Sequence, residues 1–286
     1  MKSKKVKKNP SRITKSVIFF GQFLQFLAIP LAGKFVIRLF QSPIQHQMPE
    51  REQMMYKSAT KERLKIEAIN KEIQVYKYGF SKRKILILHG WAGRGTQLFT
   101  IADKLLENRF MVISVDGPAH GHSDGTRTNM TEFRETVKVL QEKYGPFEAA
   151  IGHSFGGMVL LKSADSFLKI NKLVVMGTAN DVREIIHDLS RKLKLKSATA
   201  EYVLRKLEKQ YNTPLETSTS VSSAKNIDIP TLVIHDTDDK DVPVRCAYQI
   251  RQNLSKGSLL ITHGLGHQRI LKDPSIQNHI IEFLTK

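Results

Sequence analysis

The sequence predicts an α/β protein: a mostly parallel central sheet with helices on both faces and an inserted helical lid. Three observations predict it. Short apolar runs alternate with helical patterns from residue 60 onward, the spacing of right-handed βαβ units. One connection, 179–229, is too long for a simple crossover and itself carries helical periodicity. The 286 residues are 41% hydrophobic and 25% charged, enough to bury a sizeable core and far from the composition of a disordered chain.

The elements follow in order. Residues 1–45 form a basic, apolar N-terminal helical extension: seven basic side chains and no acid in 1–16, then VIFFGQFLQFLAIPLAG at 17–33. A positive segment before an apolar run has the pattern of a signal sequence. The run is short of the roughly 20 residues a spanning helix needs, contains Gln22, Gln25 and Pro30, and precedes no small-x-small cleavage site. Three readings stay open: a helix packed on the protein's own body or lid, an interfacial anchor on anionic lipid, and a signal anchor.

The main domain is expected over 60–286. Leu64–Asn70 and Glu72–Tyr78 alternate and read as an antiparallel hairpin turning near Asn70-Lys71. Strand runs follow at Ile85–Leu88, Phe110–Val115, Ala149–Ile151, Leu173–Met176, Thr231–Ile234 and Ser258–Ile261. Helical stretches lie at about 95–107, 130–143, 155–168, 244–253 and 274–285. Within 179–229 the apolar positions Ile185, Ile186, Leu189, Leu193, Val203, Leu204 and Leu207 mark the lid helices.

The formal charge of +18 points to an anionic partner. Much of it sits on the N-terminal arm, which favours peripheral contact with an anionic membrane. No nucleic acid is expected, because neither an aromatic-interleaved basic strand nor a recognition-helix pattern is present. The single cysteine, Cys246, excludes an internal disulfide framework and fits a reducing compartment. The expected location is the cytoplasm, with association at the inner face of the membrane.

The pattern Gly-x-Ser-x-Gly occurs twice, as GHSDG at 121–125 and GHSFG at 152–156. Nucleophilic chemistry needs the serine on a sharp strand-to-helix turn. Ser154 follows an apolar strand and precedes a helix-forming run, whereas Ser123 lies within loop on both sides. Ser154 is therefore the candidate nucleophile and Ser123 a loop residue.

A serine hydroxyl needs a histidine base, and that histidine an acid to fix its tautomer. The strand ending at His235 runs into DTDDKDVP, where Asp239 is the first choice and Asp236, Asp238 and Asp241 are alternatives. The final strand runs into HGLGH, offering His263 and His267. The glycines before His267 permit a turn that returns its ring toward Ser154.

The oxyanion hole, donors aimed at the developing negative charge, is expected from the backbone N–H groups of Phe155, after the nucleophile, and Trp91, in the HGWAGRG loop at 89–95. His89, His120 and His122 sit in loops near these segments as pocket-lining candidates, and His153 is expected to be buried. A metal reading of His120-x-His122 fails for want of a third ligand at supportive spacing, and the 89–95 glycines lack the Lys-Ser/Thr pair of a phosphate loop. No metal and no cofactor are expected.

HGW at 89–91, DGPAHGHS at 116–123, GHSFGG at 152–157, HDTDDKDVPV at 235–244 and GLGH at 264–267, with serine, aspartate and histidine in that order, resemble the α/β-hydrolase superfamily over about 60–286. The likeness is nearest to bacterial serine-nucleophile members sharing the HGW loop and the GLGH-x-x-IL ending. It implies Ser154, Asp239 and His267 as the catalytic set and Trp91 and Phe155 as oxyanion donors, and it assigns 116–123 a structural role. The implied function is hydrolysis of an ester or related acyl bond of a small-molecule substrate through an acyl-enzyme. Acyltransferase or thioesterase chemistry on the same residues, and a ligand-binding relative with slow turnover, are the alternatives. The N-terminal extension and the lid match no pattern of the family that names a substrate.

Overall fold

The computed structural model describes residues 13–286. Twelve helices and eight strands alternate along them. They begin with α1 (Lys15–Leu27), α2 (Ile29–Gln41), α3 (Gln53–Ser58), β1 (Thr60–Ile66), β2 (Lys71–Tyr78) and β3 (Lys84–Leu88). Next come α4 (Phe99–Glu107), β4 (Met111–Val115), α5 (Met130–Tyr144), β5 (Ala149–His153), α6 (Phe155–Ala164) and β6 (Lys172–Met176). The chain continues through α7 (Val182–Lys192), α8 (Ser197–Tyr211), α9 (Ser220–Ala224) and β7 (Thr231–Asp236), and ends with α10 (Arg245–Gln252), β8 (Gly257–Thr262), α11 (Gly266–Arg269) and α12 (Pro274–Thr285).

The strands form one sheet in the order β1-β2-β4-β3-β5-β6-β7-β8. β1 and β2 are an antiparallel pair, β2 lies antiparallel to β4, and every pairing from β4 to β8 is parallel. The expected mostly parallel sheet is thus present, and its period-2 pattern divides the core. Leu86, Leu88, Ala150 and Val175 point to the face covered by α5, α6 and α10; Ile85, Ile87, Ile151 and Met176 point to the face covered by α4 and α12. Because both faces are covered, the central strands read as continuous apolar runs instead of alternating ones.

The sheet and its helices, Gln41–Asp181 with Glu216–Lys286, form one compact unit. The second unit is built from the N-terminal helices through Phe40 and Val182–Leu215, segments far apart in sequence. Its core comprises Val36, Ile186, Leu193, Ala200, Val203, Leu204 and Leu207, with Val17 and Ile18 of α1 packed on it. Residues 216–229 return to the sheet-bearing unit. The single apolar segment of 17–40 is two helices, because Ala28 is extended (φ −167°, ψ 139°) and Pro30 occupies the first turn of α2, where its missing N–H costs nothing. Lys2, Lys4, Lys5, Lys7, Lys8 and Arg12 lie outside the described residues. Among the described residues no helix is long and apolar enough to cross a membrane.

Candidate active site

The parallel strands end together at one edge of the sheet, and the candidate residues sit in the loops that leave it. Ser154 separates β5 from α6 with φ +53° and ψ −118°, a backbone region that L-residues populate only under strain. Its N–H donates to the Met176 carbonyl at 2.8 Å, which fastens the turn to the end of β6. The turn closes only because residue 156 has no side chain: a Cβ there would lie 2.4 Å from the Leu88 carbonyl oxygen.

Asp239 follows β7, and its side chain is 1% exposed. Its Oδ1 accepts the N–H groups of Asp241 (2.9 Å) and Val242 (2.8 Å), and its Oδ2 accepts His267 Nδ1–H at 2.6 Å. Burial works against its charge, but hydrogen bonds from His235 and His267, the nearby imidazole charge and the Val242 N–H outweigh it. The carboxyl is held far below the usual carboxylate range.

His267 lies in α11 and is anchored at its backbone as well: its carbonyl accepts His153 Nε2–H at 3.0 Å, and the two rings are 4.6 Å apart. His153 is buried, which pushes its pKa down to about 3, so it serves as a neutral strut beside Ser154. With Nδ1 committed to Asp239, the ring nitrogen of His267 left for chemistry is Nε2. Ser154 Oγ makes no hydrogen bond to a described residue; contacts of this type tighten when substrate binds.

The remaining aspartates separate by environment. Asp238 and Asp241 are exposed. Asp236 is fully buried and accepts four hydrogen bonds, from Asp238 N (2.9 Å), Thr262 Oγ1 (2.7 Å), Leu265 N (3.1 Å) and Gly266 N (2.8 Å). It clamps the loop that carries His267, with Gly266 at φ +65° making the return turn. His263 is exposed and pairs with Thr237 at 2.9 Å.

The segment 89–95 runs alongside the nucleophile: a Cβ on Gly90 would lie 3.0 Å from Ser154 Cβ. The Trp91 ring stacks edge-on against Phe155 with centroids 5.2 Å apart, so the side chains of the two residues expected to supply N–H donors are in contact. Phe155 opens α6, and its N–H has no intrahelical acceptor.

The loop at 116–123 holds this segment in place. Asp116 Oδ1 accepts Gly95 N–H at 2.7 Å; its Oδ2 accepts Tyr76 Oη–H and His122 N–H, both at 2.8 Å. His120 Nε2 accepts Ala92 N–H at 3.1 Å, while its Nδ1–H donates to the Pro118 carbonyl at 2.9 Å. His89 Nε2 accepts Gly117 N–H at 2.9 Å. These acceptor roles require neutral imidazoles. Burial supplies them, lowering both pKa values, that of His120 to about 3. His89 and His120 therefore brace backbone instead of lining a pocket. Ser123 Oγ donates to the Asp116 carbonyl at 2.5 Å and accepts Gln74 N–H at 2.8 Å, which leaves its hydroxyl fully used.

Two contributors had no local signal in the sequence. His235, which opens the HDTDDKDVPV stretch but has no role legible there, places Nε2 2.9 Å from the Val242 carbonyl and 3.4 Å from Asp239 Oδ2. Asp236 is distinguished from Asp239 only by the loop that folds over it. Among the described residues one set of three side chains could hold a metal ion, Asp239, Asp241 and His267. Asp239 and His267 there already bond to each other, so that set reads as an acid–base pair with an exposed neighbour.

A family model for the alpha/beta hydrolase fold matches residues 84–222, and one described as TAP-like protein matches 200–286. No curated protein matches the chain significantly. Among solved structures, the Pyrococcus furiosus esterase Pf2001 superposes with a TM-score of 0.64 at 18% identity, covering 86% of this chain and 97% of its own. A bromoperoxidase from Bacillus anthracis gives 0.62 at 16% identity over 79% and 100% of the two chains. A membrane phospholipase A described as a bacterial virulence factor gives 0.63 at 17% identity over 93% and 97%. At such identities the superpositions speak for the fold alone. With the sheet order, the family models and these neighbours in agreement, the chain belongs to the α/β-hydrolase superfamily.

Proposed function

We propose that this protein is a serine hydrolase that cleaves an ester or related acyl bond through a covalent acyl-enzyme. The observation that carries the reading is the His267–Asp239 hydrogen bond of 2.6 Å, beside a serine held at φ +53° between β5 and α6. Fold membership does not decide the chemistry, since neighbours of this shape include an esterase and a bromoperoxidase.

In the proposed reaction, Ser154 Oγ adds to the substrate carbonyl as His267 Nε2 takes its proton. Asp239, kept ionised by its hydrogen bonds, holds the ring with Nδ1–H inward and stabilises the imidazolium. The negative charge arising on the carbonyl oxygen meets the N–H groups of Phe155 and Trp91. His267 then gives its proton to the leaving alcohol as the carbon–oxygen bond breaks, leaving the acyl group on Ser154. Water, deprotonated by the same nitrogen, adds to the acyl carbon, and the acid leaves as Ser154 regains its proton.

The test is a comparison of the native chain with Ser154→Ala. The native chain should hydrolyse p-nitrophenyl esters and take up a fluorophosphonate label, and the variant should do neither. Labelling retained by Ser154→Ala overturns the reading. A panel of esters and thioesters of increasing acyl length then identifies the preferred bond.

A further inference from the structure

Helix α1 turns an unusual face outward. Phe19 (72% exposed), Phe23 (48%) and Phe26 (86%) recur at i, i+4 and i+7, flanked by Phe20, Leu27 and Leu31, all exposed. Chance rotation of the helix does not explain this, because polar contacts fix it. Gln25 Oε1 accepts Lys196 N–H at 2.6 Å and Thr199 Oγ1–H at 2.9 Å, which pins α1 to the start of α8. Val17, Ile18 and the buried Gly21 share the inward side. Gln25, a polar residue within an apolar segment, thus holds the phenylalanines in solvent.

The segment that carries this stripe has charge of one sign. Residues 1–49 contain nine Lys and Arg and not one Asp or Glu, the first acid being Glu50. Lys15, Lys34 and Arg38 of this set are exposed on α1 and α2. A second copy of the chain would bring like charges together, whereas an anionic bilayer offers phosphates for the cations and hydrocarbon for the rings. α1, at 13 residues, is about 20 Å long and falls short of a hydrocarbon core of about 30 Å, and the chain breaks at Ala28. A helix of this build lies in the interface plane.

We propose that α1 is a peripheral docking surface for anionic phospholipid membranes, with Phe19, Phe23 and Phe26 entering the acyl boundary and the basic N-terminal arm engaging the headgroups. This does not depend on the hydrolase reading, and Ser154→Ala should bind vesicles as the native chain does.

The experiment is co-sedimentation of the full chain with vesicles of phosphatidylcholine alone and of phosphatidylcholine with phosphatidylglycerol. Binding should require phosphatidylglycerol and weaken with salt. The triple variant Phe19→Ser, Phe23→Ser, Phe26→Ser should partition more than about tenfold less while melting like the native chain, since the three rings are solvent-exposed. Replacing Lys2, Lys4, Lys5, Lys7 and Lys8 by glutamine should remove the anionic preference with the rings intact. Equal binding of native chain and triple variant overturns the proposal, as does no binding to either vesicle. A concentration-dependent dimer that the triple variant loses, without vesicle binding by the native chain, overturns it too and assigns the face to a second copy.

Discussion

The pentapeptides GHSDG at 121–125 and GHSFG at 152–156 share one pattern and end in opposite physical states. Ser123 sits in loop, its hydroxyl spent between the Asp116 carbonyl and the Gln74 N–H. Ser154 sits between a buried strand and a buried helix at φ +53°, its backbone tied to β6 and its hydroxyl unbonded to any described residue. The pattern Gly-x-Ser-x-Gly therefore marks tight turns in general. In the proposed function, chemistry further needs strand and helix to force the serine into strain and two other loops, after β7 and after β8, to bring Asp239 and His267 together. The loop at 116–123 that contains Ser123 does take part: through Asp116 and His120 it braces the 89–95 segment, which runs alongside Ser154.

The sharpest way to break this contrast is to exchange the fates of the two serines. Ser154→Ala should lower kcat for an ester substrate by at least about 10⁴-fold, with the fold kept. Ser123→Ala should change kcat only a few-fold and should cost about 1–3 kcal/mol of stability in urea denaturation, because it strands a buried N–H. Comparable kcat losses in both variants would end the distinction.

The next largest effect separates Asp239 from Asp236. Asp239→Asn preserves the shape but offers His267 the wrong partner, and kcat should fall by about 10³–10⁴-fold with little change in melting temperature. Asp236→Asn faces an amide N–H₂ toward groups that donate, so it should cost about 2–3 kcal/mol of stability and reduce activity through a displaced His267. Steady-state rates alongside thermal melts of the two variants check both outcomes.

The smallest expected effect is in pH. Burial raises the pKa of Asp116 and of Asp236, yet for Asp116 the side-chain and backbone hydrogen bonds of His122 and the Gly95 N–H, and for Asp236 the donors Gly266, Thr262, Asp238 and Leu265, pull both below the ordinary carboxylate value. A folded pKa below the unfolded one means the contribution is complete above the unfolded value of about 3.9 and is lost as pH falls through the folded value. Denaturant midpoints should begin to fall below about pH 6.5, where the unfolded chain protonates the histidines that burial keeps neutral (His89, His120 and His153), and should fall further below about pH 4 as these carboxylates titrate. Asp116→Asn should show a shallower decline; an unchanged acid limb would remove the carboxylate from the account.

Much of this was legible in the residues because its causes are local. Apolar runs of four to six residues, helical spacing between them and the serine, aspartate and histidine motifs each depend on neighbours in sequence. Boundaries set by distant partners were not. The helical pattern from 95 becomes helix only at Phe99, since Gly95 is drawn to Asp116 and to Ser114. β5 runs two residues past the apolar stretch because Gly152 and His153 still pair with β6.

The sequence by itself determined the order of strands and helices, the wide connection at 179–229 and the one serine set between strand and helix, since these follow from periodicity and from the backbone demands of glycine. Tertiary structure alone decided which aspartate meets His267, that His89 and His120 are neutral braces, and that Gln25 holds α1 with its phenylalanines outward. Each of those depends on a hydrogen bond between groups more than 20 residues apart. A donor and an acceptor leave no periodic trace in sequence until folding places them within 3 Å of each other or thereabouts.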